Sequence, residues 1–230
     1  MPSSSSPNKI VAQNAIILVD KPTGMTSFGV VARLRRQLSQ RLGKKAKVGH
    51  AGTLDPFATG LLIILTGTKC REANQFLRLD KSYQATFVLG WSTPTLDPEG
   101  RMSLVSRAQP SRQQVEAALQ QFLGETQQVP PDFSAIKVAG RRAYDLARQG
   151  KEIDLPARPV VISEIKIIEY DYPRLTINVA VSSGTYIRSL ARDIGRQLGV
   201  GTYCSELRRT RIGQYQLDQA DQLTAFSIND

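Results

Sequence analysis

The stretch "GLLIILTG" (Gly60–Gly67) is the longest apolar run in the chain. A bilayer span takes about 20 apolar residues, so the run is far too short to cross a membrane. Bounded by glycines and rich in Leu and Ile, it reads as a core strand. "AIILVDKP", closed by Pro22, reads as a second buried strand. In "SYQATFVLG" the residues Tyr83, Ala85, Phe87 and Leu89 share one face by period-two alternation. "VVISEIKIIEY" and "RLTINVAVS" are further strands. In the latter Leu175, Ile177, Val179 and Val181 alternate with Thr176, Asn178 and Ala180.

Helices are predicted between the strands. Ser27 can cap one in which Val31, Leu34, Leu38 and Leu42 form the apolar stripe and Gly43 the stop. Ser111 and Gln114 form a capping box for a second, with Gly124 as its stop. Ile187, Leu190, Ala191, Ile194 and Leu198 line a third. "VPPDFSAIKVAGRRAYDLARQG" gives a loop, a short strand, a turn at Gly140 and a short helix. Beyond Gly201 there is one basic run, "LRRTRIG", and little periodicity. The pattern predicts an α+β fold with a mixed, mostly antiparallel sheet flanked by helices. No composition shift splits the chain. The expected organisation is a disordered Ser/Pro-rich tail over 1–12, one domain over 13–215 and a short C-terminal extension over 216–230.

Charge narrows the partner. There are 30 Lys+Arg against 20 Asp+Glu, a formal charge of +10, which points to a polyanion, with nucleic acid favoured over a membrane surface. Arg33, Arg35, Arg36, Arg41, Lys44, Lys45 and Lys47 follow one another with no acid between them. A face of one sign repels itself unless an anion meets it, so this segment reads as a phosphate-contacting surface. Two scattered cysteines and one histidine give no metal-ligand cluster and no Ser-His-Asp triad. No Walker A stretch, dinucleotide fingerprint or HExxH appears. No apolar leader precedes the first strand, so a cytoplasmic protein without cofactor or metal is expected.

The tetrapeptide TLDP occurs twice, at Asp55 and at Asp97. Asp and Pro are common turn residues. Asp97, between Pro94 and Glu99-Gly100, has turn composition. Asp55 precedes the core strand and follows a basic stretch. There it is either a turn residue or a carboxylate poised for nucleophilic work at a sugar carbon. Arg188 falls in the first turn of its helix, where a cation opposes the dipole. It is either one of three solvated arginines, with Arg192 and Arg196, or the holder of an anion. Tyr83 reads as a core aromatic.

"GHAGTLDPFATGLLIILTGTKCREANQF" resembles the signature segment of the TruB family of tRNA pseudouridine synthases. The likeness continues in "LVDKPTGMTSFGVV", "KSYQATFVLG", "SSGTYIRSLARDIGRQLG" and "LRRTRIGQY", in one order from about Ile16 to Tyr215. The resemblance implies a pseudouridine-synthase fold and isomerisation of uridine 55 in the TΨC stem-loop of tRNA. No cofactor and no obligate protein partner is implied. Asp55 would be the catalytic aspartate, Arg188 its pairing arginine and Tyr83 the active-site tyrosine. His50 would help hold the loop nucleotides. Tyr186, Leu207 and Lys21, the last in a Lys-Pro motif with Pro22, fall on substrate-contacting or motif positions. Attack at C1′, removal of a C2′ proton and addition to C6 are all open to the aspartate. Many bacterial relatives carry a further PUA-type domain, and no complete one is expected here. The alternatives are a non-catalytic RNA-binding or tRNA-folding protein, and a guide-RNA-dependent pseudouridine synthase.

Overall fold

The computed structural model describes residues 9–134, 136–138, 140–150 and 153–226. In chain order the elements begin with β1 (Ile16–Lys21), α1 (Ser27–Leu42), β2 (Val48–His50), β3 (Thr59–Thr66), α2 (Ala73–Leu77) and β4 (Lys81–Leu89). Next come β5 (Trp91–Ser92), β6 (Ser103–Leu104), α3 (Arg112–Gln120), β7 (Gly124–Gln128), β8 (Lys137–Val138), β9 (Arg141–Arg142) and α4 (Ala143–Ala147). The chain ends with β10 (Arg158–Asp171), β11 (Arg174–Val181), α5 (Ile187–Gln197), β12 (Thr202–Ile212), β13 (Tyr215–Gln216) and β14 (Asp221–Gln222). Strand pairs are mostly antiparallel, with β1–β14 and β3–β12 parallel, so the predicted α+β class holds. Among the described residues no helix is long and apolar enough to cross a membrane.

The described residues form two compact units. The first holds the described residues up to Tyr83 and from Leu207 onward, the second Gln84–Glu206. Both boundaries fall inside strands, β4 and β12, so no Gly-, Pro- or Ser-rich linker betrays them.

In the first unit the strand order is β14-β1-β3-β12, with β2 also on β3 and β13 on β12. The core strand β3 is covered on both faces. Leu62 and Ile64 join Val30, Val31, Leu34 and Leu38 of α1, while Leu61, Ile63 and Leu65 meet Phe76 and Ile212. Each fully buried Leu or Val stabilises by about 1.5–3 kcal/mol, which explains why α1 needs no acidic residue in its first turn. Its N-cap is Thr26, whose side chain accepts from the Gly29 N–H. Ser27, expected as the cap, is instead buried and turned toward the next loop. Gly43 closes the helix in the left-handed conformation at φ 64°, as predicted.

Of the expected tail and extension, the structure describes residues 9–12 and 216–226. Residues 1–8 and 227–230 lie outside the described residues. Lys9 donates its N–H to the Ala225 carbonyl and Val11 is buried. Asp221 and Gln222 pair in parallel with Val19 and Asp20, so the chain beyond 215 rejoins the sheet.

In the second unit the first half of β12 leads the order β12-β4-β11-β10-β7. The expected stripe of β11 is buried at Leu175, Ile177, Val179 and Val181. The capping box Ser111–Gln114 forms as predicted, but α3 stops at Gln120 and Gly124 opens β7 instead. Ile187, Leu190, Ala191 and Ile194 of α5 face inward.

Candidate active site

The loop from Ala51 to Ala58 joins β2 to β3 and carries Asp55, which is half-buried between the buried Leu54 and Ala58. Six consecutive carbonyls, from Gly52 to Phe57, each have a donor. Gly52 and Thr53 accept from the two terminal nitrogens of Arg209 at 3.1 and 3.4 Å. Leu54 accepts from Ser27 Oγ at 3.0 Å, and the Leu54 N–H donates back to the same hydroxyl at 2.8 Å. The Asp55 carbonyl takes the Ala58 N–H, Pro56 takes Gly24 N–H and Lys21 Nζ, and Phe57 takes Thr23 Oγ1. A loop with six successive carbonyls tied down presents its side chains in a fixed geometry, which is what a reacting group needs.

Two glycines, Gly52 in the loop and Gly60 at the start of β3, are required here. Gly60 sits at φ 103° beside Arg209, and a Cβ there would lie 2.3 Å from the Arg209 carbonyl oxygen. Gly52, at φ 104°, lets the chain turn over the Arg209 guanidinium.

Lys21 is fully buried, and its ammonium donates to the carbonyls of Pro22, Met25 and Pro56. Expected among the substrate-binding residues, it acts on the backbone next to Asp55. Burial pushes its pKa from 10.5 down to about 8, with the Asp55 charge opposing and the Arg209 charge adding to the drop. Beside it Asp20 grips Arg208 with both oxygens, at 3.2 and 2.7 Å. His50 ends β2, opposite Ile64. Burial first and Arg209 second lower its pKa from 6.5, so the imidazole is neutral at pH 7. Tyr83 is 9% exposed and Leu207 8%; both are buried in this same unit.

Lys81 is another buried cation, donating to the carbonyls of Leu77 and Leu79. Burial and then Arg209 bring its pKa from 10.5 to about 8, with Asp80 opposing. A lysine whose folded pKa is depressed binds fewer protons when folded than when unfolded between those two values. Stability therefore rises with pH across that window. Denaturation of wild-type and Lys81→Met protein from pH 7 to 10 checks this: wild type gains relative to the variant as pH rises.

The second unit holds the other expected residues. Arg188 is buried, not solvated. One terminal nitrogen donates to the Thr95 carbonyl at 2.8 Å and to Asp97 Oδ2 at 3.0 Å, the other to the Phe133 carbonyl at 2.7 Å. Asp97 is likewise buried at 4% exposure. Its other oxygen accepts from Thr95 Oγ1 at 2.6 Å and from the Glu99 N–H at 3.0 Å. Asp97 makes the turn expected of it, and its side chain also holds Arg188. Leu96, just before it, is held at φ 60°, a strained setting for a non-glycine residue that surrounding contacts must enforce. The pairing also offsets the unfavourable end of the helix dipole at Arg188. Sequence offered one signal for it, the repeated TLDP, and composition hid it.

Tyr186 caps α5. Its N–H donates to Gln128 Oε1 at 2.8 Å, Gln128 Nε2 returns a bond to its carbonyl at 3.1 Å, and the Arg158 guanidinium lies 4.9 Å from the ring centroid. "LRRTRIG", expected to track phosphates, mostly does other work. Arg208 is paired with Asp20, Arg209 is 1% exposed, and Arg211 alone of the three is exposed. Strand alternation sends Arg209 inward and its neighbours elsewhere.

This architecture is the pseudouridine-synthase fold. A solved structure described as a Cbf5–Nop10–Gar1 complex superposes with TM-score 0.70 at 30% identity, over 93% of this chain and 53% of that one. The chain thus spans about half the length of that structural relative. A family model described as TruB family pseudouridylate synthase (N terminal domain) matches residues 37–187, and one described as tRNA pseudouridylate synthase B C-terminal domain matches 188–230. tRNA pseudouridine synthase B of Phocaeicola vulgatus is 44% identical over 93% of this chain and 92% of its own length. That of Parabacteroides distasonis is 47% identical over 88% and 87%. The chain belongs to the TruB family of pseudouridylate synthases. The segment 216–230, expected as an extension, lies within the second family match.

Proposed function

We propose that this protein isomerises a single uridine of tRNA, uridine 55 of the TΨC loop, to pseudouridine in the cytoplasm. The observation that carries the reading is the Asp55 loop, with six successive carbonyls anchored around one half-buried carboxylate. The C1′–N1 bond breaks, the base turns, C1′ joins C5, the C5 proton leaves and N1 takes up a proton. Asp55 starts the detachment of the uracil. Arg188, fixed by Asp97, has the role of the arginine that pairs with the catalytic aspartate, and Tyr83 stacks on the detached base. Neutral His50 offers the loop nucleotides hydrogen-bonding groups without charge, while Tyr186 and Leu207 contact the substrate. To reach a carboxylate the uridine must leave its stack, at a cost of a few kcal/mol. Phosphate contacts from the exposed Arg36, Arg41, Lys44, Lys45 and Lys47, in the same unit as Asp55, offset that cost.

Relatives of similar length that are named for tRNA support this reading over the guide-RNA-dependent one, and an anchored carboxylate loop supports it over simple RNA binding. The test is tritium release from tRNA transcript labelled at uracil C5, with purified protein alone. Release approaching one tritium per tRNA is expected. Binding without release would favour the RNA-folding reading. Release only with added guide RNA and partner proteins would favour the guide-dependent one.

A further inference from the structure

Arg209 is the outlier of the buried residues. It heads the largest fully buried side chains and lies on the inward face of β12. Burying a guanidinium is costly unless it is well bonded. The hydrogen bonds of this side chain all go to neutral backbone. Nε donates to the Leu61 carbonyl at 2.8 Å, and the terminal nitrogens reach Thr53 and Gly52. Leu61 belongs to β3, where the loop leaves; Gly52 and Thr53 belong to the limb that enters. Asp55 lies between them in sequence. One planar fork therefore bridges the two limbs, a task for which guanidinium has the donors and the rigidity and ammonium does not. The backbone of Arg209 reinforces the same joint. It pairs with Gly60, close enough that any side chain there would strike it. The charge is felt at Lys21, which also feels Asp55, and at His50 and Lys81.

We propose that Arg209 is a positioning residue for Asp55, pinning the two limbs of its loop together and holding a permanent positive charge against that loop. This rests on Asp55 being the catalytic carboxylate. Arg209→Lys keeps the charge and loses the fork; Arg209→Met loses both. A misplacement of about 1 Å costs on the order of 100-fold, so Arg209→Met is expected to lose roughly that much in kcat, with KM for tRNA nearly unchanged. Arg209→Lys recovers part of the loss. The acid limb of the kcat–pH profile moves to higher pH in the Met variant and stays in place in the Lys variant. Hydrogen exchange of the amides from Gly52 to Ala58 is faster than in wild type in both. Should the Met variant not fold, the Lys variant decides. Arg209→Lys protein with wild-type kcat and wild-type loop exchange overturns the proposal. If wild-type protein itself releases no tritium from tRNA, the proposed function fails instead. Loop exchange in the Lys variant then still decides whether Arg209 pins the loop.

Discussion

Asp55→Asn protein is expected to bind tRNA and to release no measurable tritium. Loss of a catalytic nucleophile costs on the order of 10⁵- to 10⁶-fold in rate. The substitution changes one oxygen to an amide nitrogen in a half-buried side chain. The bonds that hold the loop run from its carbonyls to Arg209, Ser27, Ala58, Gly24, Lys21 and Thr23, and none of them needs the Asp55 carboxylate. The loop should therefore keep its backbone anchors while activity disappears. Release within tenfold of wild type would remove Asp55 from the chemistry.

Asp97→Ala should do the reverse and damage stability first. Arg188 and Asp97 are both nearly inaccessible, with side chains 4% and 6% exposed and 3.0 Å apart. Removing one partner of a buried pair costs about 3–5 kcal/mol. For a chain of this size each kcal/mol shifts the thermal midpoint by roughly 2–4 °C, so a fall of about 10 °C is expected. The alanine also releases the bonds from Thr95 Oγ1 and the Glu99 N–H, loosening the turn that seats Arg188, and activity falls with it. In the double variant Asp97→Ala, Arg188→Met both members of the pair are gone, so the loss of stability is smaller than the sum of the two single losses, while activity does not return. Additive losses in stability would show that the pair is not coupled.

Much of this arrangement is legible in the sequence where apolar residues do the packing. β3 follows from its unbroken apolar run, and α1, β11 and α5 from their stripes, because one-sided burial of Leu, Ile and Val has a period. β12 does not. Its inward face carries Thr202, Cys204, Leu207, Arg209 and Ile212, so the alternation that marks a strand is masked by polar residues and by an arginine. The same masking hides Arg209, which in a run of basic residues looks like a phosphate contact. The partners of Lys21 are hidden in the same way: a lysine beside a proline signals nothing about being sealed under three carbonyls. Asp97 is missed because turn composition and a buried ion pair use the same residue. Ser27 is misread as a cap because the adjacent Thr26 does that work, leaving the Ser27 hydroxyl to bind Leu54. Each of these is a polar group satisfied by backbone distant in sequence, and local pattern has no access to such partners. The order of the motifs, by contrast, points to Asp55 without any of this geometry.

The most direct test of the central claim is to map pseudouridine by carbodiimide modification and primer extension in tRNA transcript treated with the purified protein alone. A single new stop at uridine 55, absent from a transcript carrying cytidine there and absent after treatment with Asp55→Asn protein, is the predicted result. Modification at another uridine, or an unchanged stop with the Asp55→Asn protein, would contradict it.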